Sequence, residues 1–413
     1  MSEIKKIILP DCIEKLADLF PVDLYVVGGK VRSHLMNLVN DDIDLCSSLT
    51  ISQLEEVLKK SDYQIKFKNE TLNTAKIICD EKAYDYATLR KEVYQEGGFR
   101  QPESVEFIDS IQEDFVRRDF TINAVYYNIK SGQFFDFCDG VKDIKKRVIR
   151  CVRNPYEVLN DDGLRILRMV RIASELDFKI DYQTYNAAAK NITNLSNVSG
   201  VKLCSELVRI CNSSFVAVCN KKAYLRGIKI LNKLKAWKYF NLNFEKVKIN
   251  MIKKVQDRVI GLLIDIVNSQ KPASISYFLN KVLDKLQINK KRKEEIINVL
   301  SGYYDALNRM PNKIYFAKYF DNFEKIYDIL ACKSKTLAQK YNFFYKYIIS
   351  HKIVVRIADL KVSNRDLAKN FPSLPQKSYK VILNMILSDI FEGKYNNDKT
   401  VILSEIEKKL KYY

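Results

Sequence analysis

The fold of the first third of the chain is decided by residues 24–33, which have the sequence LYVVGGKVRS. The four apolar residues 24–27 form a short run typical of a buried β-strand, and Gly28 and Gly29 end that run. A helical pattern follows at 34–38. Two glycines let the backbone approach a ligand closely, and the start of a helix offers unpaired N–H groups to an anion. Such a turn is more often structural than functional, so its meaning depends on its neighbours.

Similar short runs predict further strands within the first 150 residues, at 43–46, 76–79, 104–108, 124–128 and 133–137. One amphipathic helix is predicted at 52–60. After about residue 155 the apolar side chains fall at helical spacing instead, as in Leu164, Leu167 and Val170. Helical patterns continue to the end of the chain, the clearest being 223–236, 248–268, 290–307, 323–349 and 379–391.

These patterns predict an α+β fold, in which a head with a small mixed or antiparallel sheet and helices is followed by an all-α C-terminal part. We predict three segments along the chain: a head at 1–150, a helical neck at 151–215, and a helical body and tail at 216–413. The length of 413 residues and the hydrophobic content of 47% are sufficient for buried cores.

The net charge of +19 is unevenly distributed. Residues 1–150 contain 22 basic and 26 acidic residues, a net charge of −4, and residues 151–413 carry +23. A basic surface of that extent attracts a polyanion, either nucleic acid or an anionic membrane. A lysine-rich composition without any such partner explains the charge equally well at this stage.

Several functional classes are disfavoured by composition. The nine cysteines include no CxxC pair, so neither a disulfide framework nor a zinc site is indicated, and a reducing compartment is expected. No secretory signal pattern and no run of about 18 apolar residues is found, which predicts a cytoplasmic protein without membrane association. Because His34 and His351 are the only histidines, chemistry that needs a histidine base or several histidine ligands is disfavoured.

Carboxylates follow the glycine turn in the run DDIDL at 41–45. Asp42 and Asp44 are two residues apart on a predicted strand, so both side chains lie on the same face. Two carboxylates that close repel each other unless a cation lies between them, and Mg²⁺ suits such ligands. Asp85, in a strand-like stretch, is a candidate third ligand for in-line phosphoryl transfer. The structural alternatives are an acidic turn and a surface carboxylate on an edge strand.

Two further clusters contain arginine and aspartate. Arg117 and Arg118 precede Asp119, a pattern suited to clamping phosphate or sugar with the carboxylate orienting one guanidinium. Asp162 and Arg165, three residues apart at the start of the first long helix, are expected on one helix face. A charged turn explains the first cluster as well, and a weak surface ion pair explains the second.

Six stretches occur in an order and spacing that resemble the class II tRNA nucleotidyltransferase and bacterial poly(A) polymerase family, within the DNA polymerase beta nucleotidyltransferase superfamily. They are GGKVRS, DDIDL, YDYATLR, RRDFTINA, FDFCDGVKDIKKRVIR and DDGLRILRMVRIASELDF. The resemblance covers residues 22–180. Beyond residue 180 the chain is similar only in being helical and basic.

The resemblance implies a role for each matching residue. Gly28, Gly29 and Arg32 match a triphosphate-binding turn, Asp42 and Asp44 match two catalytic metal ligands, and Asp85 matches the third. Arg90 matches the start of a flexible loop, which extends to Arg100. A ribose- and phosphate-contacting motif is matched by Arg117, Arg118 and Asp119, and a hinge-like motif by Asp139, Gly140 and Asp143. The pair that selects the incoming base is matched by Asp162 and Arg165, and Arg168 matches an arginine one turn further on.

The implied activity is addition of CCA to tRNA 3′ ends from CTP and ATP with Mg²⁺, without a nucleic acid template. The head would be catalytic, the neck would carry the base-selecting pair, and the basic body and tail would bind RNA. Poly(A) polymerase and partial CC- or A-adding activities are the alternatives within the class, and a non-catalytic RNA-binding relic of the fold is the alternative outside it. Aromatic residues of the C-terminal part could stack on bases, although core packing is more frequent: Tyr303, Tyr304, Tyr315, Tyr319, Phe343, Phe344 and Tyr345.

Three positions depart from the family pattern. Ser33 stands where aspartate is usual, which removes a possible local salt bridge. Gly163 stands where proline is usual, so the start of the following helix is expected to differ. Val201 stands where glutamate is frequent, which weakens that motif. None of the three departures removes a predicted metal ligand.

Overall fold

The computed structural model describes residues 5–40, 42–95, 97–99, 101–213, 222–240, 242 and 246–410. The chain packs as two compact units, one formed by residues 1–248 with 281–288 and the other by 249–280 with 289–413. The predicted boundaries near 150 and 215 stay predictions.

The strands of the first unit are short and lie mainly in one sheet. They are β1 (Tyr25–Val27), β2 (Asp44–Ser47), β3 (Gln64–Asn69), β4 (Thr74–Cys79), β5 (Lys82–Thr88), β6 (Arg90–Val93), β7 (Ser104–Phe107), β8 (Tyr126–Asn128), β9 (Phe134–Phe135), β10 (Val148–Ile149) and β11 (Lys179–Ile180). The main sheet has the order β3-β4-β5-β2-β1-β8-β9. The β2–β5 pairing is parallel and its neighbours are antiparallel, so the sheet is mixed. β6 and β7 form a separate hairpin.

Helices make up most of the rest of the described chain. They are α1 (Asp11–Leu19), α2 (Gly29–Leu35), α3 (Ile51–Leu58), α4 (Ile111–Asp114), α5 (Gly140–Lys146), α6 (Pro155–Asp161), α7 (Leu164–Leu176), α8 (Tyr182–Lys190), α9 (Gly200–Asn212), α10 (Ala223–Lys233), α11 (Arg258–Gln270), α12 (Ile275–Lys285), α13 (Lys290–Asn308), α14 (Lys313–Tyr319), α15 (Phe323–Lys333), α16 (Lys335–Ser350), α17 (Asn364–Asn370), α18 (Gln376–Phe391) and α19 (Lys399–Leu410). Among the described residues, no helix combines the length and the apolar character that a membrane span requires.

Both faces of the main sheet are covered by apolar side chains. One face packs against α1 and α3, where Leu16 and Leu54 are completely buried next to Val26 of β1. A smaller cluster on the other face contains Val27 and Tyr126. Because the sheet is buried on both sides, the ends of its central strands are fixed in position, and these ends carry the polar residues described below.

The predicted α+β class is confirmed, with a mixed sheet and helices followed by a helical C-terminal part. All five strands predicted after the first lie within one or a few residues of β2, β4, β7, β8 and β9. β3, β6, β10 and β11 were not predicted. The residues of β3 are largely exposed and lack an apolar run. The helix predicted at 34–38 instead begins at Gly29, directly after the strand.

Two predicted long helices are wrong in extent, and local capping explains both. The pattern at 248–268 becomes a helix only from Arg258, because Asp257 caps it and the buried Asp265 carboxylate accepts backbone N–H groups of residues 250–252. The pattern at 323–349 divides at Ser334, whose hydroxyl accepts the N–H of Leu337 and starts a new helix.

The aromatic residues considered for base stacking are mainly structural. Tyr303, Tyr315 and Tyr319 are buried, and Tyr304, Phe344 and Tyr345 are partly buried, whereas the ring of Phe343 is 75% exposed. The described cysteines are all free. Cys219 lies outside the described residues.

Candidate active site

Three carboxylates meet where β2 and β5 run side by side. Asp44 opens β2 and lies directly opposite Asp85 in the parallel register, and Asp42 lies two residues upstream. The carboxylate oxygens of these three residues are all within 4.8 Å of one another. Burial, followed by the nearby Asp42 charge, raises the pKa of the Asp44 carboxyl to about 6. Asp41, the first residue of the motif, lies outside the described residues.

This carboxylate group has the chemistry of a divalent cation site. Oxygen ligands from carboxylates are those that hard divalent cations prefer, and a cation would offset the repulsion among the three neighbouring carboxylates. Lys76 of β4 lies opposite Asp85 and donates a hydrogen bond of 2.7 Å to it. That contact is exposed, so the lysine side chain can move aside at little cost.

The glycine turn contacts the carboxylate group directly. Gly28 has φ +80°, and a Cβ atom there would lie 3.1 Å from a carboxylate oxygen of Asp44. Only glycine adopts this conformation without strain, so the turn and the carboxylate can lie against each other. On α2, the guanidinium of Arg32 donates to the side-chain oxygen of Asn123. Burial lowers the pKa of Arg32 to about 10, and its Nε atom is buried without a hydrogen-bond partner in the described part of the chain.

The arginine pair is held by a residue that the sequence analysis did not identify, Asp114. Its completely buried carboxylate accepts from Arg117 at 2.8 Å and from Arg118 at 3.0 Å. It also accepts from the Tyr126 hydroxyl at 2.6 Å and from the backbone N–H of Arg90 at 3.0 Å. Burial opposes its ionisation, but the two guanidiniums outweigh burial and hold the pKa of Asp114 well below its usual range.

Asp119 has a different partner from the predicted one. Its carboxylate accepts from Arg168 of α7 at 2.7 and 2.8 Å and from Asn123 at 3.1 Å, and it does not orient Arg117 or Arg118. The prediction that Asp119 positions an adjacent arginine is therefore wrong. Burial opposes its charge, but Arg168 prevails and holds the pKa of Asp119 well below its usual range. Through Asn123, the same cluster reaches Arg32.

The start of α7 also differs from expectation. Asp162 lies in extended conformation before the helix, and its Oδ1 atom accepts the N–H of Leu164 at 2.8 Å. The expectation that Asp162 and Arg165 share a helix face is wrong, because α7 begins only at Leu164. Arg165 forms its ion pair with Asp161, at 3.2 Å, and donates to the carbonyl oxygen of Arg117 at 2.7 Å.

The segment predicted as a flexible loop is anchored at both ends of its described part. Arg90 donates to Glu92 at 2.7 Å and to the carbonyl of Leu72 at 2.9 Å. Further on, the carbonyl of Gly98 accepts the N–H of Gly163 at 3.2 Å. A Cβ atom on Gly163 would lie 2.6 Å from a backbone oxygen of Asn194, so this position requires glycine. Arg100, the end of the predicted loop, lies outside the described residues.

The hinge-like motif packs against the segment that follows Asp119. Asp139 precedes α5 with φ 62°, and a Cβ atom on Gly140 would come within 2.3 Å of the carbonyl oxygen of Thr121. The Asp143 carboxylate accepts a hydrogen bond of 2.8 Å from the Thr121 hydroxyl and another from Arg150. These contacts join the motif to the segment after Asp119, away from the cleft lining.

One cleft of about 700 Å³ in the first unit brings the predicted residues together. Its lining includes every predicted nucleotide-contacting residue and two of the three predicted metal ligands: Gly28, Gly29, Arg32, Arg117, Arg118, Asp119, Asp162, Arg165, Arg168, Asp42 and Asp44. Asp85 is outside the lining and reaches the site through the other two carboxylates. Glu92, Tyr94 and Asn123 also line the cleft and were not predicted.

Known proteins are similar to this chain in sequence. Residues 24–150 match the family described as "Poly A polymerase head domain". The CCA-adding enzyme of Ligilactobacillus salivarius (strain UCC118) is 27% identical over 413 aligned residues, which cover 94% of this chain and 93% of the relative. The chain is a nucleotidyltransferase that resembles the class II tRNA nucleotidyltransferase and bacterial poly(A) polymerase family. The match to this nucleotidyltransferase family extends well beyond the head.

Solved structures of family members share the fold of this nucleotidyltransferase. The Bacillus stearothermophilus CCA-adding enzyme in complex with CTP has a TM-score of 0.67 and 19% identity, and the match covers 98% of this chain and all of that one. The Thermotoga maritima CCA-adding enzyme complexed with tRNA has a TM-score of 0.54 and 21% identity, covering 98% of this chain and 97% of that one.

Proposed function

We propose that this protein is a CCA-adding enzyme, which extends tRNA 3′ ends with CTP and ATP without a template. The observation that carries the proposal is the meeting, in one cleft, of Asp42 and Asp44 with Asp162 and Arg165. The carboxylates suited to phosphoryl transfer and the Asp162–Arg165 pair suited to a base edge could therefore contact the same nucleotide. Relatives that align with nearly the whole chain have the same activity in their names, which supports this choice over poly(A) polymerase.

The reaction is attack of the RNA 3′-hydroxyl oxygen on the α-phosphorus of the nucleoside triphosphate. A new P–O bond forms, the hydroxyl proton is released to solvent, the bond between the α-phosphorus and the bridging oxygen breaks, and pyrophosphate leaves with that oxygen. We propose that Asp42, Asp44 and Asp85 hold Mg²⁺, which when bound lowers the pKa of the 3′-hydroxyl and neutralises the triphosphate. The donor set and the raised pKa of Asp44 support this assignment.

The positive groups around the carboxylates would bind the triphosphate and ribose. Arg32, Arg117 and Arg118 line the cleft, and the latter two are oriented by Asp114. The Nε–H of Arg32 is buried without a partner in the described part of the chain, which is costly. An acceptor atom of the nucleotide would supply that partner. Rigid positioning of these guanidiniums lowers the barrier by holding the phosphates in line with the attacking oxygen.

Base selection would follow from the pattern of donors and acceptors. Cytosine and adenine each present an exocyclic amine next to a ring-nitrogen acceptor, so Asp162 can accept from the amine while Arg165 donates to the ring nitrogen. Asp162 accepts the N–H of Leu164, and a carboxylate has about four acceptor positions in total. Uracil and guanine present the opposite pattern and would leave charged groups unpaired.

The RNA substrate would be bound largely by residues 151–413, which carry the excess of +23. The predicted division into a catalytic head (1–150), a base-selecting neck (151–215) and an RNA-binding body and tail (216–413) remains part of the proposal. We also propose a cytoplasmic location, which the free cysteines support.

One experiment tests the proposed function against its alternatives. The full-length protein is incubated with Mg²⁺ and tRNA lacking its 3′ CCA, with CTP, ATP or both, and the products are sequenced. We expect CC with CTP alone and CCA with both nucleotides. With both nucleotides present, an extended A tail would instead identify a poly(A) polymerase, and a product that ends in CC or in a single added A would identify a partial enzyme. No extension with any nucleotide would identify a non-catalytic RNA-binding protein.

A further inference from the structure

The guanidinium of Arg165 is fixed along one edge by hydrogen bonds. It donates to the carbonyl oxygens of Val158 at 2.9 Å and Arg117 at 2.7 Å, and to the Asp161 carboxylate at 3.2 Å. These contacts use three of its five N–H donors. They fix the atoms along that edge of the group, and a different contact holds the rest of it.

That contact is with an aromatic ring. The central carbon of the Arg165 guanidinium lies 5.6 Å from the ring centroid of Tyr94, within the range of a cation–π contact. Both side chains line the cleft, together with Asp162. Tyr94 follows β6 directly, so a residue distant in sequence supplies one wall of the proposed base site.

The ring is itself anchored. The Tyr94 hydroxyl donates to Glu92, whose carboxylate also accepts from Arg90 at 2.7 Å and lies 3.7 Å from Arg117. Glu92 is largely buried, so the hydroxyl cannot exchange this partner for water without cost. The ring therefore has a fixed position from which to hold the Arg165 plane.

We propose that Tyr94 is a specificity-determining positioning residue, which sets the tilt of the Arg165 guanidinium toward the base edge. The inference rests on the proposed function and extends it to a residue that touches neither the reacting atoms nor the metal ligands. Hydrogen bonds weaken steeply as donor and acceptor lose alignment, so a guanidinium free to tilt distinguishes cytosine and adenine less well from uracil and guanine.

The test compares full-length variants with tRNA lacking its 3′ CCA. Tyr94→Leu and Tyr94→Met remove the ring, Tyr94→Phe keeps the ring without the hydroxyl, and Tyr182→Leu changes a tyrosine that is 77% exposed on α8 as the matched control. For each protein, kcat/KM is measured with CTP, ATP, UTP and GTP, and thermal unfolding confirms that the variants fold.

We expect Tyr94→Leu and Tyr94→Met to lower the preference for CTP and ATP over UTP and GTP by about 3- to 30-fold, the range of a cation–π contact. Tyr94→Phe should retain most of the preference, and Tyr182→Leu all of it. An equal loss for all four nucleotides, or no loss, would overturn the proposal and make Tyr94 a packing residue.

Failure of the proposed function gives a distinguishable result. If the wild-type protein extends no tRNA, the affinities of the four nucleotides are measured directly by calorimetry on the same proteins. A wild-type preference for CTP and ATP that Tyr94→Leu lowers would still support the role of Tyr94. An unchanged ratio, or an absence of any preference, would reject it.

Discussion

The Asp114→Asn substitution tests whether one buried carboxylate organises the arginine side of the cleft. Asn keeps the size of the side chain but removes its charge, and it replaces one oxygen by an N–H₂ group. In the native protein both oxygens only accept, from Arg117 and the Arg90 N–H on one side and from Arg118 and Tyr126 on the other. An amide nitrogen in either place would face donors rather than acceptors.

The expected cost follows from these contacts. Removing one partner of a buried ion pair typically destabilises a protein by about 3–5 kcal/mol, because the remaining charge stays buried without compensation. Here two guanidiniums would remain, with exposed fractions of 13% and 15% for the side chains of Arg117 and Arg118. For a unit of this size each kcal/mol corresponds to about 2–4 °C, so we expect Tm to fall by about 6–20 °C.

The activity should fall as well, because the arginines line the cleft. Displacing positioning groups by even 1 Å can cost about 100-fold, so we expect kcat/KM to fall by about 10- to 100-fold for all four nucleotides alike. The matched control is Asp109→Asn, which neutralises an exposed carboxylate five residues away and should leave both Tm and kcat/KM unchanged.

The pH dependence provides an independent check. Because the pKa of Asp114 is lower in the folded protein than in the unfolded chain, its stabilising effect is complete above the unfolded value of about 3.9 and disappears as the pH falls through the folded value. The difference in unfolding free energy between wild type and Asp114→Asn should therefore be constant from pH 8 to pH 5 and shrink below about pH 4. A variant within 2 °C of wild type, or a difference independent of pH down to acid unfolding, would refute the reasoning.

Three further predictions concern the metal site, the base and the RNA. Asp42→Ala and Asp44→Ala should abolish nucleotide addition in Mg²⁺ without lowering Tm, because each removes a ligand and also relieves charge repulsion; near-wild-type turnover in either variant would contradict the assignment. Asp162→Ala and Arg165→Ala should relax selection of CTP and ATP over UTP and GTP by about 10- to 100-fold in kcat/KM, and a uniform loss across the four would mean that these residues only support α7. If residues 151–413 bind tRNA through phosphate contacts, Kd measured by filter binding should rise at least about tenfold between 50 and 200 mM salt, and a Kd insensitive to salt would exclude this mode of binding.

The sequence was sufficient where the interaction is local. The spacing of Asp42 and Asp44 along one strand and the glycine turn before them are properties of a few consecutive residues, and the structure places them together. The contact between Asp44 and Asp85 depends on a parallel pairing, which requires a crossover that no local pattern specifies. A strand-like stretch made Asp85 a candidate, and the resemblance to a family supported it, but neither specified its pairing with Asp44.

The sequence was insufficient where a charged residue chooses among several partners. Asp119 lies next to two arginines in the chain but pairs with Arg168, 49 residues away, because α7 packs behind it. Arg117 and Arg118 are bound by Asp114, which is three and four residues upstream on a helical turn. That spacing predicts an ion pair, but the ion pair is important only because the Asp114 carboxylate is completely buried.

The hydrogen bond from Gly163 to Gly98 restricts substitution at both positions. The φ of −58° at Gly163 is one that proline adopts readily, so the backbone alone would permit the residue usual in this family. Proline, however, has no N–H to give to the Gly98 carbonyl, and its ring would collide with Asn194. A side chain on Gly98 would meet the same asparagine, 2.5 Å from its Cβ. Positions 98, 163 and 194 are thus coupled, because any residue larger than glycine at 98 or 163 would require the segment around Asn194 to move.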